Sequence, residues 1–223
     1  MSITTTVALL KKVSFRVFPK NLPVTDISIP PELRLIGTGT DAIVVQDPRD
    51  TSVVYKLFHP DRLWKKENEW KSYQQLGESS YFAKCYGSED NYLILSYESG
   101  LTLLECLEQG VEIPEQVLED VDEARSYARS VGLNPRDIHL KNVFLQEGRA
   151  KLIDISEYVI PGNDYRWDHL VEGYRQFYPL IRGMKIPKWM IEYVKKLYLD
   201  QNGKKKSFSV SEFGKRLFRL FSA

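Results

Sequence analysis

Pro135-Arg136-Asp137-Ile138-His139-Leu140-Lys141-Asn142-Val143-Phe144-Leu145, followed by Leu152-Ile153-Asp154, is the stretch around which the rest of the chain falls into place. Val143-Phe144-Leu145 and Ala150-Lys151-Leu152-Ile153 enclose Gln146-Glu147-Gly148-Arg149, which reads as a hairpin with a turn at its tip. Two acids and an amide flank that hairpin, so Asp137, Asn142 and Asp154 can converge on one point. Oxygen donors of this kind suit Mg²⁺, which takes one or two carboxylates and fills its other positions with water and phosphate oxygens. Asp137 is then placed to accept a proton from, or to orient, an attacking hydroxyl. The plainer alternative makes Asp137 and Asn142 turn residues and Asp154 a hairpin end. Any one position favours that alternative; the ordered set shifts the balance strongly to a site.

Upstream, Gly37-Thr38-Gly39-Thr40-Asp41-Ala42-Ile43-Val44 lies between two expected strands, where glycines let the backbone turn tightly and approach phosphate oxygens. It leads into a strand and not a helix, which counts against a dinucleotide-binding unit. Lys56 follows on the apolar run Val53-Val54-Tyr55, where a lone ammonium costs energy unless it finds an anion. The helix expected over Arg62–Leu76 offers Glu67 and Glu69. Glu69 is the preferred partner, because Tyr73 and Leu76 share its helical face at i+4 and i+7.

Around these motifs the pattern changes once along the chain. Residues 1–32, with Pro19, Pro23, Pro30 and Pro31, read as an N-terminal extension of short strands more than of helices. Residues 33–97 read as a meander of antiparallel strands with one helix, whose candidates for burial are Leu63, Trp64, Trp70, Tyr73 and Leu76. Residues 98–223 are helical, at Leu101–Gln109, Pro114–Val131, Asp164–Arg182, Lys188–Asp200 and Ser209–Phe221, with one β-like interruption at 142–158. The fold class is α+β, on a two-lobed plan with a β-rich N-lobe and a reduced helical C-lobe.

Composition removes several classes of function. The 223 residues, 43% hydrophobic, suffice for one large domain or two lobes, and 31 Lys and Arg against 30 Asp and Glu leave no global field for a nucleic acid or membrane surface. Lys204–Lys206 with Lys215, Arg216 and Arg219 form a local basic cluster that reads as a solvated face. Cys85 and Cys106 read as buried free thiols in a reducing compartment. No apolar run reaches signal-peptide or membrane-span length, so the expected location is the cytoplasm.

Across about residues 33 to 182 the sequence resembles the protein-kinase-like superfamily. The Gly-rich hairpin, with Gly37, Thr38, Gly39, Thr40, Ala42 and Val44, is similar to the kinase phosphate lid, with Ala42 at the usual third glycine. Lys56 and Glu69 resemble its lysine–glutamate pair, and Tyr92–Gly100 resembles its hinge, which implies Leu95 as gatekeeper and backbone of Ser96 and Glu98 for adenine. Arg136-Asp137 with Asn142 five residues beyond matches the catalytic-loop spacing. The resemblance thus implies ATP and Mg²⁺ as cofactors, Asp137 as catalytic base, Lys56 and Glu69 as a catalytic ion pair, and Asn142 and Asp154 as metal ligands. It also offers Trp167-Asp168 as the match to a buried Asp that braces the loop.

The departures from the pattern are specific. Pro135 precedes Arg-Asp, His139 stands where Lys is usual, Ile155-Ser156 replaces Phe-Gly, and no Ala-Pro-Glu follows. This shortened plan looks like RIO-type and small bacterial serine/threonine kinases, the latter most of all. The leading expectation is phosphoryl transfer from ATP to Ser or Thr of a protein. A small-molecule phosphotransferase, favoured by His139 and the missing Ala-Pro-Glu, and a non-catalytic nucleotide-binding scaffold are the alternatives.

Overall fold

On strand Val53–Phe58, side chains alternate between two faces. Leu57 and Tyr55 join a cluster with Leu9, Leu10, Val24, Leu33, Ile43, Val45 and Tyr92, while Lys56 points to the opposite face and meets Glu69. Both faces of this strand are therefore covered, and that covering organises the N-terminal half. The computed structural model describes residues 3–19, 22–201 and 207–221. The chain divides into two compact units, Met1–Ser79 with Ala83–Glu98 and Ser80–Phe82 with Ser99–Ala223.

The first unit runs α1 (Ile3–Leu10), β1 (Ser14–Arg16), β2 (Thr25–Ser28), β3 (Arg34–Thr38), β4 (Ala42–Gln46), β5 (Val53–Phe58), α2 (Leu63–Leu76), β6 (Cys85–Ser88) and β7 (Tyr92–Ser96). Strands β3-β4-β5-β7-β6 form one antiparallel sheet in that order, and β1 pairs with β2. The expectation of short strands over residues 1–32 is corrected at its start, where α1 is a helix. Its Leu9 and Leu10 enter the core, so the segment is part of the first unit. A helix of 8 residues is marginal alone; packing holds this one, together with the buried Thr6 hydroxyl donating to Asp47 at 2.7 Å. Arg49 also grips Asp47, and its hydrogen bonds hold that carboxyl well below the usual carboxylate range.

Helix α2 buries Lys66, Glu69, Ser72, Tyr73 and Leu76. Trp64, an expected core residue, is 53% exposed. The inward face is set by polar partners, with Lys66 donating to the carbonyls of Glu89 and Asp90 in the β6–β7 turn.

The second unit runs β8 (Leu101–Thr102), α3 (Leu103–Gln109), α4 (Gln116–Ser130), β9 (Val143–Gln146), β10 (Arg149–Leu152), α5 (Arg166–Phe177), α6 (Lys188–Asp200) and α7 (Val210–Phe221). The expected hairpin is β9–β10, and its turn residues Glu147 and Gly148 both have positive φ, 49° and 81°. Leu101–Thr102, expected to be helical, instead adds a third strand beside β9. Helix α3 starts after it because Thr102 and Glu105 form a reciprocal capping box. Helix α4 buries Val117, Val121, Ala124 and Ala128 completely, a stripe at helical spacing. Its Asp120 reaches the hairpin, accepting from the Arg149 guanidinium and from the Ala150 N–H at 2.8 Å. Rings of His169, Tyr198, Phe208 and Phe213 gather α5, α6 and α7.

Lys204–Lys206 and the Arg219 side chain lie outside the described residues. Among the described residues no helix is long and apolar enough to cross a membrane.

Candidate active site

In the first unit, β3 and β4 carry Gly37, Thr38, Gly39, Thr40, Ala42 and Val44 as a hairpin, with Gly37 opposite Val44 and Thr38 opposite Ile43. Neither Gly37 nor Gly39 has positive φ, so turning the chain does not require glycine at either position. A Cβ at Gly37 would meet nothing within 4 Å, so its missing side chain leaves open space over the backbone, as a phosphate would need. Asp41 ties the hairpin down. Burial alone would raise its pKa, but Lys65 at 2.9 Å, Thr40 and Arg62 hold its carboxyl below the usual carboxylate value.

Lys56 lies on β5 opposite Val44, and its Nζ is 2.6 Å from Glu69 Oε2, with the Glu69 side chain fully buried. Glu67 is turned outward and pairs with Lys66. Removing one partner of a buried ion pair typically costs ~3–5 kcal/mol, because the other charge is left without compensation. Glu69→Gln is therefore expected to destabilise the chain by about 3 kcal/mol, and the exposed Glu67→Gln by less than about 0.5 kcal/mol. Urea unfolding checks the ordering, and a larger loss at Glu67 would reject Glu69 as the partner that holds Lys56.

Leu95 and Ser96 end β7 and Glu98 follows. The Ser96 N–H donates to the Lys84 carbonyl at 2.8 Å and the Tyr97 N–H to Ser52 at 2.9 Å, so both donors are committed to the sheet. A base docking here would use the Ser96 carbonyl and the backbone of Glu98. The Ser96 hydroxyl bonds the Glu98 carboxylate at 2.5 Å, bracing the turn.

In the second unit, Asp137 sits at φ 57°, a left-handed conformation that costs about 1–3 kcal/mol and persists only where neighbours enforce it. The enforcing bonds are explicit. The Asp137 N–H donates to Asp164 Oδ2 at 3.1 Å, and its carbonyl accepts from Asn142 Nδ2 at 3.1 Å. The Asp137 carboxylate accepts from Arg166 Nη1. The loop is tethered at its far side, where the Leu104 N–H at the start of α3 donates to the Leu140 carbonyl.

Asn142 brings Asp154 into the same arrangement, since its carbonyl accepts the Ile153 N–H at 3.0 Å. With Nδ2 spent on Asp137, the amide keeps its oxygen as an acceptor, the kind of donor atom that a hard cation takes. Asp154, at φ 55°, takes the Ser156 hydroxyl at 3.1 Å. Two oxygen donors from the chain fit Mg²⁺ that keeps water and phosphate oxygens for the rest of its shell. Burial, reinforced by the nearby Arg166 charge, pushes the His139 imidazole down to about 4, so this side chain is neutral at physiological pH.

The loop brace is corrected. Asp168, at the start of α5, pairs with Arg125 at 2.8 Å; the acid that reaches the Asp137 backbone is the buried Asp164. Sequence reasoning missed Asp164 and Arg166 as site residues. Their one local signal is an acid two residues ahead of a basic residue at a helix start, which reads first as capping. The segment between Asp154 and α5 is also pinned: Asn134 Nδ2 donates to the carbonyls of Ile160 and Gly162, and Arg136 to that of Pro161. Cys106 is buried, whereas Cys85 is only partly so, and burial pushes both thiols up to about 11.

No family model matches the sequence. A Bacillus subtilis (strain 168) protein described as "Putative serine/threonine-protein kinase YrzF" is 33% identical over 170 residues, which cover 75% of this chain and 79% of that one. With a relative of that similarity spanning most of both proteins, the chain belongs to the kinase-like family of this Bacillus protein.

Proposed function

We propose that the chain transfers the γ-phosphoryl group of ATP, with Mg²⁺, to a Ser or Thr hydroxyl of a protein. One observation carries this reading: the loop that holds Asp137 at φ 57° also joins it through Asn142 to Asp154, so a base and two oxygen donors share one rigid scaffold. In the proposal Asp137 accepts the hydroxyl proton as the oxygen attacks the γ-phosphorus and the bond to the departing ADP oxygen breaks, and Asn142 and Asp154 would hold the metal. The metal would offset charge on the phosphate oxygens. Lys56, fixed by Glu69, steadies the phosphates; Gly37 to Val44 cover them; Leu95, Ser96 and Glu98 receive adenine. A two-lobed enzyme of minimal RIO-type plan belongs to the same proposal.

Two features favour a protein acceptor. The relative's description names a "Putative serine/threonine-protein kinase", and the pinned segment after Asp154 suits an enzyme that needs no loop rearrangement to act. His139 is the observation that favours a small-molecule acceptor instead. A cytoplasmic location accords with two unpaired thiols.

Incubation with γ-labelled ATP and Mg²⁺, with and without cell extract, tests the proposal. Label is expected on Ser or Thr after phosphoamino-acid analysis, starting with the chain itself. Label confined to a small metabolite would replace the protein acceptor with a small one, and absence of transfer together with no nucleotide-dependent rise in melting temperature would reject the enzyme.

A further inference from the structure

We propose that Arg166 is a positioning residue of the transfer site, which holds the Asp137 carboxylate in the orientation from which it meets an incoming hydroxyl; this rests on the phosphotransferase reading above. Arg166 Nη1 donates to Asp137 Oδ1. The guanidinium is itself held from behind, since Nε lies 3.4 Å from Asp164 Oδ2 and the Arg166 N–H donates to Asp164 Oδ1 at 3.3 Å. Asp164 Oδ2 in turn accepts the Asp137 N–H at 3.1 Å. One buried carboxylate therefore grips both the backbone of Asp137 and the arm that grips its side chain, closing a ring.

The ring matters because a carboxylate's terminal torsion is broad and sets no direction by itself. A guanidinium is a planar fork of fixed donor geometry, so contact with it fixes an orientation as well as a charge. The side chains of Arg166 and Asp137 are 20% and 24% exposed, so neither is sealed off from solvent. Asp164, at 7%, is sheltered and acts as the fixed point. Arg166 enters α5 directly after Tyr165, whose left-handed φ of 55° turns the chain between Asp164 and the helix. That turn lets residues two apart in sequence clasp the same partner.

The test uses the full chain and initial rates of label transfer from γ-labelled ATP to its own Ser and Thr. Arg166→Ala is expected to lower the maximal rate about 100-fold, the size of effect a small misplacement of a reacting group produces, with the KM for ATP changed less than about twofold. Arg166→Lys should lose about tenfold, keeping charge without the fork. Millimolar guanidinium chloride should restore part of the Arg166→Ala rate and leave wild type and Arg166→Lys unaffected, a response that a purely structural role would not give. An unchanged or raised rate in Arg166→Ala, a parallel loss of ATP affinity, or no rescue in a variant with a native circular-dichroism spectrum would overturn the proposal. An active wild type indifferent to Arg166 overturns this role alone. A wild type that transfers no label overturns the phosphotransferase reading, and this role with it.

Discussion

Asp137→Asn is expected to reduce phosphoryl transfer by about 10²–10⁴-fold while leaving ATP binding nearly intact, the loss typical of removing a general base, the role proposed for this residue. The structure gives a reason to expect a clean result. Asp137 is held by its own N–H on Asp164 and its own carbonyl on Asn142, bonds that Asn at the same position retains. The Asn oxygen can still accept from Arg166, so only the capacity to take a proton and the charge are lost. Asp154→Asn should differ in kind, weakening Mg²⁺-supported ATP binding, because a carboxylate beside the Asn142 amide is exchanged for a neutral oxygen. The measurement is the rise in melting temperature with ATP and Mg²⁺, set beside the transfer rate, for both variants. Equal loss of ATP affinity in the two would mean that the wrong acid has been assigned to the metal.

How far such a site can be read from sequence depends on the distance over which its parts are specified. Asp137 and Asn142 sit in one loop and Asp154 one hairpin away, so their spacing alone brings them together, and the turn residues Glu147 and Gly148 make that hairpin explicit. Lys56 announces itself as a charge on an apolar strand, and helical periodicity separates Glu69 from Glu67. Asp164 and Arg166 carry no such signal, because their partner Asp137 is 27 and 29 residues away and an acid at a helix start has a sufficient local explanation. The same limit applies to α2. Its aromatic Trp64 looks like a core residue, yet the inward face is decided by what Lys66 and Glu69 must reach on β5 and in the β6–β7 turn. Strand β6, with Gly87 inside Cys85–Ser88 and an irregular register against β7, has neither alternation nor β-branched residues to announce it.

Gly100→Ala is expected to be among the most destabilising single-methyl additions in the chain, by about 3 kcal/mol or more. Two costs add at this position. Gly100 has φ 116°, where an L side chain is strained by about 1–3 kcal/mol. A Cβ there would also overlap the Leu145 carbonyl oxygen and crowd Gln146, and overpacking against an unyielding neighbour costs about another 1–3 kcal/mol. The neighbour cannot retreat, because Leu145 is paired on β9 with both Ala150 of β10 and Leu101 of β8. Relief would require opening the small sheet that carries Asn142 and Asp154 at its ends. Gly148 isolates the first cost from the second: at φ 81° it is strained for Ala in the same way, but a Cβ would meet nothing within 4 Å. Gly148→Ala should therefore lose only about 1 kcal/mol, the scale of an unfavourable but uncrowded backbone conformation. Urea unfolding of both variants measures the difference, with the slope compared first, since a changed slope would mean altered compactness or a loss of two-state behaviour. Equal losses at the two positions would show that β8 and β9 give way to the new methyl, and that the sheet carrying Asn142 and Asp154 at its ends is softer than its pairing implies.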